Sequence, residues 1–275
     1  MKNPLIPVTD DHIHIDPQNG RGLAAARDFL RSGGTHLFLV SKPSSSFGIF
    51  PSSGEEFRSV FDDTVSVAGQ IRELGLSVFV VLGVHPAEVS RLSGRYPLDQ
   101  AVSVMKRGLD IAGEYIAEGS AVAIKSGRPH YEVMPEILGA SNDVLSHAFA
   151  LAADLGCAVQ VHAESGPCDD MVGMANRAGL SPLRVVKHYA TPDTPLTPSL
   201  ISTHPAIPEL AGAGRHFTLE SDYMDENSRP GAVTGPKSVP RATFRLLAEG
   251  AITIQDAHRI HKDTPEKVYG VEISL

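Results

Sequence analysis

Short apolar runs rich in β-branched residues alternate with longer stretches of helical periodicity along the whole chain, and this alternation constrains the fold more than any other feature. Runs at Leu5 to Ile15, Thr35 to Val40, Ser77 to Val84, Ala121 to Ile124, Ala158 to Val161 and Leu183 to Lys187 predict six strands. Between them, Arg21 to Arg31, Glu55 to Leu74, Leu98 to Ala117, Asn142 to Leu155 and Asp169 to Arg177 read as helices. The stretch from Ser77 to Val84 is nearly all apolar, as a parallel strand buried on both faces requires. Weaker runs at Leu200 to Thr203 and His216 to Leu219 predict strands seven and eight around a short helix, Ile207 to Ala213. Helices at Val239 to Ala248 and Ile254 to His261 finish the chain. Eight strands interleaved with helices predict an α/β protein, a (β/α)8 TIM barrel forming a single domain over residues 1–275. An open doubly wound sheet would carry a G-x-G-x-x-G turn after its first strand, and none is present. Because strands seven and eight are the weakest, an incomplete barrel is the alternative.

Composition narrows the class. The 275 residues are 42% hydrophobic and only 20% charged, which supplies a large core and argues against disorder or a coiled coil. No apolar run approaches the roughly 20 residues of a membrane span. Asp10 and Asp11 arrive too early for the apolar region of a signal peptide. The two cysteines, Cys157 and Cys168, form neither a disulfide framework nor a metal knuckle. A cytoplasmic protein without membrane contact is expected. The 24 Lys and Arg against 32 Asp and Glu leave a net charge of −8, which gives no electrostatic help toward nucleic acid beyond a local basic groove.

In a barrel, chemistry gathers at the C-terminal ends of the strands. There the sequence places His12 and His14 (strand one), Lys125 (four), His162 (five), His188 (six) and Asp222 (eight). His12 and His14 are two apart, so a strand turns them to one face, roughly 6.6 Å apart along the backbone. Two neutral imidazoles so spaced can hold one divalent ion, although an isolated H-x-H is as readily a pair of buried, hydrogen-bonded histidines. His162, His188 and Asp222 tip that balance toward metal. For Asp222 alone, the bland reading is a helix N-cap.

Taken in order, Asp10-x-His12-x-His14, Gly83-Val84-His85-Pro86, His162, His188, Glu220-Ser221-Asp222 and the late Thr264 to Gly270 segment make the chain resemble the TatD-like branch of the metal-dependent amidohydrolase superfamily. The resemblance implies a TIM barrel with one or two divalent metals, two per chain by expectation, and hydrolysis by a metal-activated water. It implies that His12 and His14 hold one metal, that His162 and His188 hold the other, and that Asp222 contacts metal and water. Zinc is the first expectation, with manganese, iron and nickel as alternatives. Asp222 would orient the water, accept its proton and pass it to the leaving group.

One position departs from the family pattern. The usual strand-four glutamate, in G-E-x-G, is replaced in Ile124-Lys125-Ser126-Gly127. Three readings follow: Lys125 reacts with carbon dioxide to give a bridging carbamate, it stays cationic and replaces one metal, or it marks a site that has lost its chemistry. A buried lysine readily loses its proton, and the neutral amine forms the carbamate, so the first is favoured. The surface-snorkelling alternative suits a strand end poorly.

Other residues rank lower. His85 is expected to line the pocket, Arg128 and His130 to bind an anionic substrate, and Glu164 to touch substrate. For Arg128 a salt bridge between loops is an equal alternative. The Gly- and Pro-rich stretch Asn227 to Pro240 is long enough for a lid, with Arg229 and Lys237 as anion clamps. His204 is a further pocket candidate, while His36, His147, His216, His258 and His261 read as structural. The resemblance points to a phosphodiester substrate, nucleic acid included, in a DNase-like activity. Lys125 points instead to lactones, amides or phosphotriesters, and a non-catalytic ligand-binding barrel is a third reading.

Overall fold

In the computed structural model, which describes residues 5–229 and 233–275, strand and helix alternate. The order is β1 (Thr9–His14), α1 (Leu23–Arg31), β2 (His36–Val40), α2 (Arg58–Arg72), β3 (Ser77–Gly83), α3 (Ala87–Ser93), α4 (Leu98–Ala117), β4 (Ala123–Gly127), α5 (Pro135–Leu155) and β5 (Ala158–His162). There follow α6 (Asp170–Arg177), β6 (Val185–Lys187), β7 (Thr197–Ile201), α7 (Ile207–Gly212), β8 (Thr218–Glu220), β9 (Tyr223–Met224), α8 (Ser238–Ala248), α9 (Ile254–His258) and α10 (Thr264–Tyr269). No helix among the described residues is long and apolar enough to cross a membrane.

The strands form one parallel sheet in the order β8-β7-β6-β5-β4-β3-β2-β1-β9, a TIM-barrel-like arrangement. Among the described residues nine strands replace the eight expected, because Asp222 interrupts the last one. Its φ of 46° is left-handed, so Ser221 and Asp222 divide one extended segment into β8, which pairs with β7, and β9, which pairs with β1. The Ser221 N–H donates to Asp10 Oδ1 and the Asp222 N–H to the His12 carbonyl, both at 3.0 Å, and these bonds join the break to β1. Strand seven begins earlier than expected, at Thr197. Pro198, opposite Lys187, masks the strand signal there. Strand four is shifted toward the C-terminus, so Lys125 lies within it. Helix α5 starts seven residues before the expected Asn142, with Pro135 in its first turn, and ends at the left-handed Gly156. Positions 230–232 of the expected lid lie outside the described residues.

Among the described residues apolar side chains form three clusters, and two of them cover the faces of the sheet. The larger lies between sheet and helices, with Ile13, Leu37, Leu39, Val80, Leu82, Ile124, Val159 and Val161 set against helical side chains such as Phe29, Phe61, Leu109 and Phe149. The smaller fills the inside of the curled sheet, where Phe38, Val40, Val81, Ala123, Ala158 and Val186 meet Val268 and Tyr269 of α10. Helix α10 therefore plugs one end of the sheet. Strands buried on both sides must be apolar throughout, which explains their Val- and Ile-rich composition.

Candidate metal centre and active site

The polar residues that break this apolar pattern converge at the other end. His12, His14, His85, Lys125, His130, His162, His188 and Asp222 all line one cavity of about 320 Å³. Five of these come from β1, β4 and β5 or follow β6 directly, and Asp222 sits at the strand break. His12 and His14 do face the same way, their ring centres 5.0 Å apart. His12 stacks on His188 at 4.1 Å, and His188 Nε2 lies 2.8 Å from His162 Nδ1. His162 Nε2 in turn meets His130 Nδ1 at 2.7 Å. Two glycines permit this crowding. A Cβ on Gly83 would lie 1.9 Å from the Lys125 carbonyl oxygen, and one on Gly127, whose φ is 151°, would lie 1.9 Å from that of His162.

Hydrogen bonds settle the tautomers of two rings. His14 Nδ1 lies 2.8 Å from the Val40 carbonyl, which can only accept, so Nδ1 carries the proton and Nε2 keeps its lone pair. His85 is the opposite: its Nδ1 accepts the Ala87 N–H at 3.2 Å, which leaves Nε2–H as a donor. His14 is thus suited to a metal and His85 to a substrate oxygen. His188 Nδ1 lies 3.5 Å from the buried Glu220 Oε1, near it but not hydrogen-bonded to it.

Burial dominates the electrostatics. It pushes His14 and His85 down to about 3, with the Lys125 charge adding to the effect. His12 and His188 are held well below their ordinary value by burial and then Lys125, and His162 by burial and then His85. All five rings are neutral at pH 7, the form that binds metals. Burial also lowers Lys125 to about 7 against the opposing pull of Asp222 and Glu220, and raises Asp222 to about 6 against Lys125. Lys125 Nζ approaches His12 Nε2 at 3.3 Å.

The donor set fits a divalent cation. One ligand atom each from His12, His188 and Asp222 lies within 4.8 Å of the other two, and His12 Nδ1 and His188 Nδ1 are buried without a hydrogen-bond partner among the described residues. His14 and His162 border the same cavity with neutral rings. Nitrogen and carboxylate donors so gathered suit zinc and its neighbours.

Arg128 and Glu164 lie elsewhere. Neither lines the histidine cavity; they pair with each other, and Arg128 also bonds Asp170 Oδ2 at 2.6 Å and Asn142 Oδ1 at 3.3 Å. Of the two readings of Arg128, the geometry matches the salt bridge between loops, because its donors are already engaged. Lys237 pairs with Asp28 at 3.3 Å, whereas Arg229 does reach the cavity wall. His204 accepts the Ala206 N–H in its own turn. Sequence reasoning overlooked three neighbours of the site: Glu220, which was present in the Glu220-Ser221-Asp222 motif, and Lys187 and Tyr189, which flank His188.

The sequence profile of the family described as TatD related DNase matches residues 9–270. The uncharacterized protein MJ1127 of Methanocaldococcus jannaschii is 31% identical over 282 residues, covering 98% of both chains. Among solved structures, the organophosphorus hydrolase from Deinococcus radiodurans has a TM-score of 0.62 at 13% identity, covering 97% of this chain and 93% of its own. The TatD homolog YJJV from Escherichia coli K12 has a TM-score of 0.60 at 16% identity, covering 96% and 98%. These two structural likenesses concern the fold.

Proposed function

Since the chain belongs to the TatD-related DNase family, we propose that it is a divalent-metal-dependent hydrolase of phosphodiesters, built as one domain over residues 1–275. The convergence of His12, His188 and Asp222 donor atoms at the mouth of the sheet carries this reading. His12, His14, His162 and His188 would hold the cation or a pair of cations, with Asp222 as the carboxylate ligand. When bound, the cation supplies Lewis acidity, lowering the pKa of a coordinated water and polarising the oxygen of the group attacked.

The protein's own groups supply the rest. Asp222 Oδ1, 4.0 Å from His12 Nε2, is placed to accept the proton of the attacking water and to return it to the leaving oxygen. His85 Nε2–H points a donor into the cavity, where it can bond a phosphoryl oxygen. Arg229, 64% exposed at the cavity wall, offers a cation to the phosphate as substrate arrives.

Lys125 favours a second reading. Its amine is buried, is lowered to about 7 and adjoins His12. The ammonium first gives up one proton, and attack of the neutral amine on carbon dioxide then gives Lys–NH–COO⁻ and releases a second, so a cation becomes an anion between the histidines. That chemistry suits lactone, amide or phosphotriester hydrolysis.

The test is turnover after chelation and reloading with zinc, manganese, iron or nickel. A plasmid and a single-stranded oligonucleotide are set against a panel of lactones and p-nitrophenyl phosphates. Metal-restored cleavage of the nucleic acids supports the phosphodiester reading. Cleavage confined to lactones or phosphotriesters supports the second, and no metal-restored turnover of anything overturns both.

A further inference from the structure

A second cavity, of about 540 Å³, opens beside the first and shares His130, His162, His188, Asp222 and Val233 with it. The two differ in charge. The first is bordered by Arg91, Arg229, Glu88 and Lys125 as well as Asp222. In the second, Asp222 is the only Asp, Glu, Lys or Arg among the described lining residues; the remainder includes Tyr189, Ile201, Ala163 and Thr203. Its volume lies within the roughly 300–1,000 Å³ typical of small-molecule pockets.

Tyr189 dominates that second wall. It is 54% exposed, although a tyrosine gains most by burying its ring. Its φ of 50° is in the left-handed region, which costs a bulky residue about 1–2 kcal/mol. A short bond holds it there: the Tyr189 N–H donates to Glu220 Oε1 at 2.7 Å. The same oxygen lies 3.5 Å from His188 Nδ1, so the carboxyl group that anchors the aromatic wall also adjoins a candidate metal ligand. A strained, anchored and half-exposed ring on the wall of a cavity continuous with the site is suited to stacking against a planar ligand.

We infer that the Tyr189 cavity is a specificity subsite that takes a neutral planar ring carried by the substrate, a nucleobase in a phosphodiester, while the charged remainder occupies the cavity of Arg229. The inference rests on the hydrolase reading for the bond that is cut. That bond would lie at the shared wall of His162, His188 and Asp222, with its two substituents divided between the cavities.

Three diesters with the same p-nitrophenol leaving group test this on the metal-loaded protein: the methyl, phenyl and thymidine 5′ esters. The thymidine ester is expected to exceed the methyl ester at least tenfold in kcat/KM, through KM. Tyr189→Asn, which tolerates a left-handed backbone but has no ring, should bring that ratio close to one, and Tyr189→Phe should keep it. Equal preference for the phenyl and thymidine esters would replace the nucleobase with any planar ring and overturn that part of the assignment. A wild-type ratio near one, or a ratio that survives Tyr189→Asn, overturns the subsite.

Saturation-transfer NMR with thymidine 5′-monophosphate and its base-free counterpart, 2-deoxyribose 5-phosphate, decides the matter without turnover. Transfer should be strongest at the thymine protons and disappear in Tyr189→Asn. Transfer confined to the sugar, or unaffected by the substitution, contradicts it. If no ester is hydrolysed, the hydrolase reading fails while the NMR result still stands for or against the subsite.

Discussion

Two residues carry most of the proposed chemistry. Asp222 combines a carboxylate beside His12 with a left-handed backbone that breaks the last strand. Asparagine accepts the same conformation, so Asp222→Asn is expected to keep the fold while losing several orders of magnitude in turnover. Unchanged melting with near-native rates would remove Asp222 from the mechanism. Lys125 is the second. Lys125→Ala should abolish activity, and short carboxylic acids should restore part of it if a carbamate does the work. Rescue by simple amines would instead identify the ammonium as the working form. Carbon-13 NMR after labelled bicarbonate gives an independent view, because a carbamate signal should appear in the wild type and vanish in Lys125→Ala.

Elements hold these residues in place through contacts that are themselves testable. Strands β3 and β4 approach so closely that a methyl at Gly83 would collide with the Lys125 carbonyl. Gly83→Ala is therefore expected to displace β4 and cost about 1–3 kcal/mol in denaturant unfolding. A cost near zero would show that the strands have room to relax. Far from the site, His261 lies in the wide turn between α9 and α10. It is fully buried, with its Nδ1 against the Thr9 backbone and its Nε2 2.8 Å from Thr243 Oγ1. Burial lowers it from 6.5 to about 4. Between those two values the unfolded chain binds the proton and the native chain does not. Stability contributed by the neutral ring is therefore full above about 6.5 and lost as pH falls toward 4. Thermal melts should show the gap between wild type and His261→Gln narrowing across that window. A gap independent of pH would contradict the buried neutral ring.

At the scale of the whole molecule, the alternation of strand and helix and the side chains that end the strands were both readable from the sequence. A parallel strand covered on both faces must be apolar, so a histidine at its end or a lysine within it stands out, as His162 and Lys125 do. What the sequence concealed depends on tertiary geometry. The break at Asp222 follows from its backbone conformation and its bond to β1, which no local pattern announces. Pro198 disguised β7. For Arg128 the sequence left an anion binder and a salt bridge between loops equally open, because its partners, Glu164 and Asp170, lie 36 and 42 residues away in the chain. Glu220 was visible in its motif, but its position under both His188 and Tyr189 required the fold.

On the reading proposed above, these strand ends assemble a divalent-metal site. The direct measurement is metal per chain by inductively coupled plasma mass spectrometry, on untagged protein prepared with bicarbonate and without chelators, beside His12→Ala and His188→Ala. One or two equivalents in the wild type, lost from the two variants while their fold persists, is the expected result, with two equivalents expected for a carbamylated Lys125. A wild type that binds no zinc, manganese, iron or nickel when offered each would contradict the claim.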